Sequence, residues 1–270
     1  MSRAALNAWI DCVKLDRPGL LATVLQAEDK DVEAGSRLFV SEGGDRCGSL
    51  GSRELDDAVV EKAREKWLQI DPKSEAHPFA LHGKNVTVFL DVHVPSPEVM
   101  IFGAGHDAIP VASFARQSGF RVTVVDQREA FATAEWFPGA HIVLTRPEHL
   151  EDRVRPDRRT FVVIMNHHLD RDRACLRFAL ESDAPYVGLL GPRKRCKRLL
   201  QSLREEGVAF TEKELSRLYN PVGLDIGAEG SDEIAVSIVS EMIAVKHGKS
   251  GRHLRAQRDS APLYQSAEKR

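Results

Sequence analysis

The chain has 270 residues, which is enough for two ordinary domains, each with its own core. Hydrophobic residues make up 42% and charged residues 29%, a balance typical of soluble globular proteins. The formal net charge is only -2. This near-neutrality excludes a general nucleic-acid binder or membrane-surface binder, because both need a large basic excess.

Targeting and metal-binding signals are weak. The first residues, MSRAALNAWI, show no basic segment followed by an apolar core, so we expect no signal peptide. No apolar run approaches the roughly 20 residues that span a bilayer. The cysteines Cys12, Cys47, Cys175 and Cys196 are scattered without CxxC spacing, which argues against a disulfide framework and a bound metal. We therefore expect a cytoplasmic protein without a membrane anchor.

The first part of the chain predicts a small α/β domain over residues 1–95. The predicted elements are a helix over Ser2–Leu15, strands over Leu20–Ala27 and Ser36–Ser41, a helix over Glu54–Trp67 and a strand over Asn85–Val94. The run Pro95-Ser96-Pro97 cannot continue a helix or a central strand, so it predicts the domain boundary.

From Glu98 onward, short apolar strands alternate with amphipathic helices, which predicts a Rossmann-like domain over residues 98–247. The predicted strands are Glu98–Phe102, Arg121–Asp126, His141–Thr145, Thr160–Asn166 and Pro185–Leu190. The predicted helices are Asp107–Ser118, Asp170–Ser182, Pro192–Glu206 and Ser231–Lys246, with Asp170 and Ser231 as N-caps. Residues 248–270 are polar and aperiodic, which predicts a mobile tail.

The segment VMIFGAGHDA contains the glycine fingerprint of a dinucleotide site. Gly103 permits a tight turn, Gly105 lets the backbone approach a diphosphate, and Ala108 lets the next helix pack closely on its strand. The next strand ends on Asp126, 23 residues after Gly103 (126 − 103), near the expected spacing of about 20. A carboxylate there can accept two ribose hydroxyls and would repel a 2′-phosphate, so we expect NAD-like ligands rather than NADP.

Several segments together point to one family: IFGAGHDA, VTVVDQRE, NHHLD, GLLGPRKR and NPVGLDIGAEGSDEIAVSIVSEMIA. With them the chain resembles the XdhC/CoxI proteins, accessory factors of molybdenum hydroxylases such as xanthine dehydrogenase and carbon monoxide dehydrogenase. The run Asn220–Ala244 is the most specific of these segments. The resemblance is clear from Val99 to about Arg255 and fainter over Leu21–Trp67.

The resemblance implies a homodimeric factor that binds molybdenum cofactor, as molybdopterin or its dinucleotide form. Such a factor protects the cofactor, promotes its sulfuration with a cysteine desulfurase, and helps deliver it to the apo-hydroxylase.

One loop departs from the family pattern. A GSxSGGC-like loop usually carries a cysteine before a helix, but here the run is GSLGSRELDDAVV, with Arg53 and Glu54 at the glycine and cysteine positions. This puts a thiol role for the loop in doubt. Cys47 could substitute only if the loop folds back, and we interpret it as a small residue that ends a strand.

Histidines near the glycine loop are candidates for contact with the ligand. His106 follows Gly105 and is either a phosphate contact or an exposed first-turn residue. His167 and His168 follow a strand whose carboxyl end should face the ligand, and they are the candidate catalytic residues. Either of them could also be a solvent-facing residue.

Two later loops extend the candidate site. Gly191 and Arg193 begin a basic helix that suits a second phosphate or a carboxylate, although a solvated basic helix face explains them equally well. Asp225 and Gly227 belong to a glycine-rich loop that could close over a ligand or simply make turns.

The sequence leaves three functions open. The first is maturation of a molybdenum hydroxylase through binding of molybdenum cofactor. The second is an NAD-dependent oxidoreductase with an unknown substrate, in which His106, His167 or His168 would supply the general acid or base. The third is a nucleotide-sensing module without chemistry.

Overall fold

A computed structural model of the protein describes residues 2–256. The chain divides into two compact units, Met1–Ser96 and Pro97–Arg270. The tail predicted to be mobile, residues 248–270, lies outside the described residues from residue 257 onward. Its described part includes a short 3₁₀ turn at Leu254–Ala256.

The first unit is a five-stranded antiparallel sheet with one helix on each face. Its elements are α1 (Ser2–Lys14), β1 (Gly19–Ala27), β2 (Arg37–Ser41), β3 (Arg46–Ser49), α2 (Arg53–Trp67), β4 (Glu75–Leu81) and β5 (Lys84–His93). The strands lie in the order β3-β2-β1-β5-β4, and every neighbouring pair is antiparallel.

Alternation along β1 explains why both faces are covered, because successive side chains of a strand point to opposite faces. Leu20 and Ala22 pack in the core that α2 completes, whereas Leu21 packs with α1. Helix α2 contributes apolar residues at helical spacing: Leu55, Val59, Val60, Ala63 and Trp67.

The sequence pattern does not predict the two edge strands, β3 and β4. Strand β3 has only four residues and includes Gly48, and β4 contains Pro78, which is tolerated in a sheet mainly at an edge. Cys47 lies within β3, opposite Phe39, and is half-buried beside α1. The interpretation of Cys47 as the end of a strand is therefore wrong.

The second unit is a parallel α/β sheet, as the sequence predicts. Its elements are β6 (Glu98–Phe102), α3 (Ala108–Gln117), β7 (Arg121–Asp126), β8 (His141–Leu144), α4 (Leu150–Arg153), β9 (Thr160–Ile164), α5 (Leu169–Glu181), β10 (Tyr186–Leu189), α6 (Arg193–Glu205), α7 (Glu212–Leu215), β11 (Leu218–Tyr219) and α8 (Gly230–Lys246). The six strands lie in the order β8-β7-β6-β9-β10-β11 and are all parallel.

This strand order, 3-2-1-4-5-6 counted within the unit, is that of the Rossmann fold. The chain builds outward from β6 to β8 and then returns to place β9 on the other side of β6. Ligands of such sheets bind beyond the carboxyl ends of the strands, at the point where the order reverses. That point lies between β6 and β9.

Helices cover both faces of this sheet. Met100 and Phe102 share one core with residues of α4, α5 and α6. Helices α3 and α8 contact each other, and they contact β6, β7 and β10. The crossover from β7 to β8, residues 127–140, contains no helix.

Two predicted N-caps are wrong. Helix α5 begins after His168, so Asp170 is its second residue. Helix α8 begins after Glu229, so Ser231 lies inside its first turn. At that end the Glu233 carboxylate accepts the N–H of Glu229 at 2.8 Å, which supplies a local partner without a capping hydroxyl.

The segment after β11 is fixed to α8 through Glu241. Its Oε2 accepts the hydroxyl of Tyr186 at 2.7 Å and the N–H of Gly223 at 2.9 Å. Burial, together with the nearby Glu241 carboxylate, raises the pKa of Tyr186, so the phenol keeps its proton and donates it. Ser237 adds a hydrogen bond from its hydroxyl to the carbonyl of Leu224 at 2.6 Å. The loop that follows is therefore held at the carboxyl edge of the sheet.

Candidate functional site

The glycine loop after β6 approaches the backbone directly after β9 very closely. Gly103 has φ +113°, and a Cβ there would lie 2.7 Å from the carbonyl oxygen of Met165 and 2.9 Å from the Cα of Asn166. Its N–H donates to the carbonyl of Val125 at 2.9 Å. Gly103 thus fits between two strands at the switch point, where only a glycine has the required conformation and size.

Gly105 differs from Gly103 in its surroundings. No heavy atom lies within 4 Å of the position of a Cβ at Gly105, so the backbone there is open to a ligand. Ala108 is the first residue of α3 and is fully buried. The three small residues therefore have the places that the fingerprint requires: a close strand contact, an open backbone and a tightly packed helix start.

Asp126 ends β7, and its side chain is only 1% exposed. Its Oδ2 accepts the N–H of Ala104 at 2.7 Å, which ties the glycine loop to β7. Both oxygens also bind Arg128, with Nη2 2.6 Å from Oδ2, and Nε and the backbone N 3.0 and 2.9 Å from Oδ1. Burial raises the pKa of Asp126, but the hydrogen bonds from Arg128 and Ala104 outweigh it and leave the pKa below its usual value.

Arg128 lies over the exposed side of this carboxylate. Its side chain is 33% exposed, and its guanidinium stacks 4.4 Å from the centre of the Phe131 ring. The hydrogen bond to Asp126 raises the pKa of Arg128 further, so the guanidinium stays charged. The carboxylate that the sequence assigns to ribose is thus already paired within the chain.

The crevice at the switch point lies between the glycine loop and the loop after β9. His167 and Asp107 pair across it. His167 lies in the loop after β9, and its Nε2 is 3.2 Å from Oδ2 of Asp107 in the glycine loop. His167 also has φ +56°, an uncommon conformation for a residue with a side chain, which costs of order 1 kcal/mol. Because both side chains are about half exposed, this imidazole–carboxylate pair is accessible to a ligand at the switch point.

A buried carboxylate fixes the loop that carries these histidines. Asp172 of α5 accepts the N–H of Asn166 at 3.1 Å and pairs with the guanidinium of Arg195 from α6. Arg195 is therefore engaged within the protein. His168, the residue before α5, is exposed and lines a cavity of about 420 Å³ with Gln127, Pro147 and Arg171.

A second cavity, of about 540 Å³, lies beyond β10 and β11. Arg193 lines it together with Asp225 and Gly227. Gly191, with φ +112°, precedes this group, and its carbonyl accepts the side-chain amide of Asn220 at 2.8 Å. The two loops predicted to extend the site, one after β10 and one after β11, therefore line the same cavity.

His106 is exposed, and its ring contact lies toward the crossover that follows β7. The ring meets that of Trp136 edge-on, with 5.5 Å between the centroids. His106 thus pairs with the helix-free crossover 127–140, whereas His167 pairs with Asp107.

The cysteines are all free thiols, and Cys12, Cys175 and Cys196 are buried. Cys175 lies under the crevice, where its Sγ is 3.6 Å from the Asn166 side-chain amide, and burial raises its pKa to about 12. Among residues 2–256, no group of three or more His, Cys, Asp or Glu side chains is arranged to hold a metal ion.

The loop that departs from the family pattern leads into α2. Ser52 precedes the helix, and Arg53 and Glu54 begin it. Arg53 is almost fully exposed, and Glu54 lies 3.4 Å from Nε2 of His82. Cys47, on β3, packs beside α1 instead of reaching this turn.

The fold and the glycine loop define a Rossmann-type protein with a crevice suited to a phosphate-bearing ligand. The family model described as the XdhC Rossmann domain matches residues 99–242, and that of the XdhC and CoxI family matches residues 12–71. The first match alone spans more than half of the chain. The protein belongs to the XdhC family.

Three curated relatives resemble the chain. A protein of Bacillus subtilis named as a probable xanthine dehydrogenase component is 36% identical over 60% of this chain and 47% of its own length. The protein YqeB of Escherichia coli is 28% identical over 91% of this chain and 47% of its own length. The molybdenum cofactor insertion chaperone PaoD of Escherichia coli is 26% identical over 69% of this chain and 53% of its own length. The chain thus spans about half the length of the curated relatives it matches.

One solved structure supports the fold along nearly the whole chain. A xanthine dehydrogenase from Bacillus halodurans superposes with a TM-score of 0.53 at 22% identity, covering 96% of this chain and 98% of that one. At this identity the likeness shows the shared fold alone. Separately, none of the helices within residues 2–256 has the length and apolar character needed to cross a membrane.

Sequence reasoning missed three residues of the site: Asp107, Arg128 and Asp172. Arg128 follows Asp126 by two residues in VVDQRE, and that spacing is the one signal that could have indicated the pair. Asp172 has the sequence position of an ordinary first-turn acid, although it joins the loop after β9 to helix α6.

We predict that Gly103→Ala lowers the free energy of unfolding by about 3 kcal/mol, since the new methyl meets backbone and the conformation is left-handed. Gly105→Ala is the matched control and should change it by less than about 0.5 kcal/mol, because that position is open. Urea unfolding measures both. Equal effects of the two substitutions would contradict the close approach of β6 to β9.

We predict that Asp126→Asn lowers the free energy of unfolding at pH 7 by about 2–4 kcal/mol, because it leaves the Arg128 guanidinium without its charged partner. The pKa of Asp126 is lowered in the folded state. The stabilisation by ionised Asp126 is therefore complete above its pKa in the unfolded chain, about 4. It is lost as the pH falls through the lower pKa of Asp126 in the folded protein. The difference between the variant and the parent protein should shrink in acid, and a difference that grows there would argue against the pairing.

Proposed function

We propose that this protein is an accessory factor that binds molybdenum cofactor and delivers it to a molybdenum hydroxylase of the xanthine dehydrogenase type in the cytoplasm. The proposal rests on two similarities found together, one to a family and one to a named relative. The chain belongs to the XdhC family over its Rossmann unit, and 69% of it aligns with a relative named as a molybdenum cofactor insertion chaperone.

The crevice suits this cargo chemically. In its dinucleotide form molybdenum cofactor carries a diphosphate, and the open backbone at Gly105 before α3 can approach that group. Beyond β9 and β10, His167 and Arg193 offer polar contacts to the other part of the ligand. The proposed cargo-binding residues are those of the glycine loop and the loops after β9, β10 and β11: Gly103, Gly105, His106, Ala108, His167, His168, Gly191, Arg193, Asp225 and Gly227. Asp126, whose carboxylate is already paired, supports this set by holding the glycine loop.

We further propose that the protein promotes sulfuration of the bound cofactor together with a cysteine desulfurase. Cys175 is the thiol that lies under the crevice, but its buried side chain and its pKa of about 12 keep it protonated and unreactive. Cys175 would therefore not carry the sulfur that is transferred from the desulfurase to the bound cofactor. The homodimer is a further part of the proposal and follows from the family resemblance.

An NAD-dependent oxidoreductase is the alternative, favoured by one observation. The paired His167 and Asp107 form an imidazole held by a carboxylate at the switch point, where a nicotinamide would lie, and such a pair can move a proton. The same fold without any reaction, a nucleotide-sensing module, is the third candidate.

A paired experiment in cells separates these functions. Deletion of the gene should leave the hydroxylase client folded but low in active cofactor. Replacing both His167 and His168 with Ala should reduce client activation about tenfold, since it removes two polar groups from the crevice. The readouts are client activity and the molybdenum content of the purified client.

The matched control is His141→Ala, which removes an exposed imidazole from the amino end of β8, at the opposite edge of the sheet. It should leave client activation unchanged. The purified protein is tested in parallel for NADH formation across a broad substrate panel. Substrate-dependent NADH formation together with an unaffected client would overturn the proposal in favour of the oxidoreductase.

A further inference from the structure

The acceptor capacity of the Asp126 carboxylate is already filled. A carboxylate offers about four lone-pair sites. Four N–H groups use them in this structure: those of Ala104, the Arg128 backbone, and Nε and Nη2 of the Arg128 side chain. The side chain is 1% exposed, so no oxygen is left to accept the two hydroxyls of a ribose.

The group presented to a ligand at this place is the Arg128 guanidinium. A guanidinium carries five N–H donors, and Asp126 uses those of Nε and one of Nη2. The remaining three are two on Nη1 and one on Nη2. The contact with the Phe131 ring, together with the hydrogen bonds to Asp126, restrains the guanidinium.

Arg171 supplies a positive charge in the cleft that Asp126 also lines. It lies in the first turn of α5 and lines a small cleft together with Asp126, Gln127 and Thr145. Arg171 also lines the cavity of about 420 Å³ that adjoins the cleft through Gln127. Within the described residues Arg171 makes no hydrogen bond or ion pair, so its donors are available to an anion.

We infer that Arg128, with Arg171, binds a phosphate monoester at the position where Rossmann proteins hold a free ribose diol. Because Arg128 neutralises Asp126, that carboxylate no longer repels a phosphate. A planar guanidinium with free donors favours phosphate oxygens, which accept charge-assisted hydrogen bonds. This replaces the expectation of NAD-like selectivity, which assumed a free carboxylate at Asp126.

Two ligands could supply such a group. One is a dinucleotide phosphorylated at the 2′ position of its ribose. The other is molybdopterin without a nucleotide, which ends in a phosphate monoester, and this second source rests on the proposed function.

The test measures affinity by calorimetry for two pairs of probes. The first pair is NADP⁺ and NAD⁺, and the second is molybdopterin and its cytosine dinucleotide form. We expect the member with the phosphate monoester to bind at least about tenfold more tightly in one of the two pairs, because one charge-assisted contact accounts for about that factor. The pair that shows the preference identifies the source of the phosphate.

Three variants assign the preference to these side chains. Arg128→Gln keeps a donor for Asp126 but removes the charge, and it should abolish the preference. Arg171→Ala leaves the Asp126–Arg128 pair intact and should weaken binding of the phosphate monoester about three- to tenfold. Arg204→Ala, at the carboxyl end of α6 and away from the crevice, is the control and should change nothing. Thermal unfolding shows that each variant is folded.

The inference is overturned if neither pair shows a preference for the phosphate monoester, or if the preference survives in Arg128→Gln. Its failure is distinct from failure of the proposed function. The NADP⁺ and NAD⁺ pair involves no molybdenum, and client activation in cells is a separate readout.

Discussion

The buried carboxylate of Asp126 holds the nucleotide half of the crevice together. It binds the N–H of Ala104 in the glycine loop and the guanidinium of Arg128 beyond β7, so two neighbouring loops share one charged group. A buried carboxylate is stable only when it is paired and hydrogen-bonded. The position of the glycine loop, the pre-orientation of Arg128 and the kind of ligand that the crevice can take all depend on this pairing.

The other half of the crevice is stabilised in the same way, by a buried carboxylate that pairs with an arginine. Asp172 is buried in α5 and joins the backbone of Asn166 to Arg195 of α6, which fixes the loop that carries His167. Each half therefore has one internal ion pair that supports exposed polar groups on a rigid base. Such a scaffold suits the proposed role, in which the protein holds a phosphate-bearing cargo and exposes the rest of it to a partner.

Most of the second unit could be predicted from the sequence, because buried parallel strands such as β7 and β9 appear as continuous apolar runs between helical patterns. The glycine fingerprint also has the expected geometry at Gly103, since its sequence spacing encodes a backbone requirement. The edge strands β3 and β4 could not be predicted, because edge strands need neither alternation nor β-branched residues. The pairing of Asp126 with Arg128 could not be predicted from the sequence either. Spacing identifies which residue ends a strand, but the direction of a side chain two residues later depends on the turn, and that turn has no strong sequence signature.

We expect a phosphate-bearing cargo to bind at the carboxyl edge of the Rossmann unit. Backbone hydrogen exchange of the protein with and without bound molybdenum cofactor tests it most directly. We expect slower exchange at residues 103–108, 166–168 and 191–193, with exchange in the strands of the first unit unchanged. Bound cofactor that protects only residues of the first unit, and leaves the glycine loop unchanged, would contradict it.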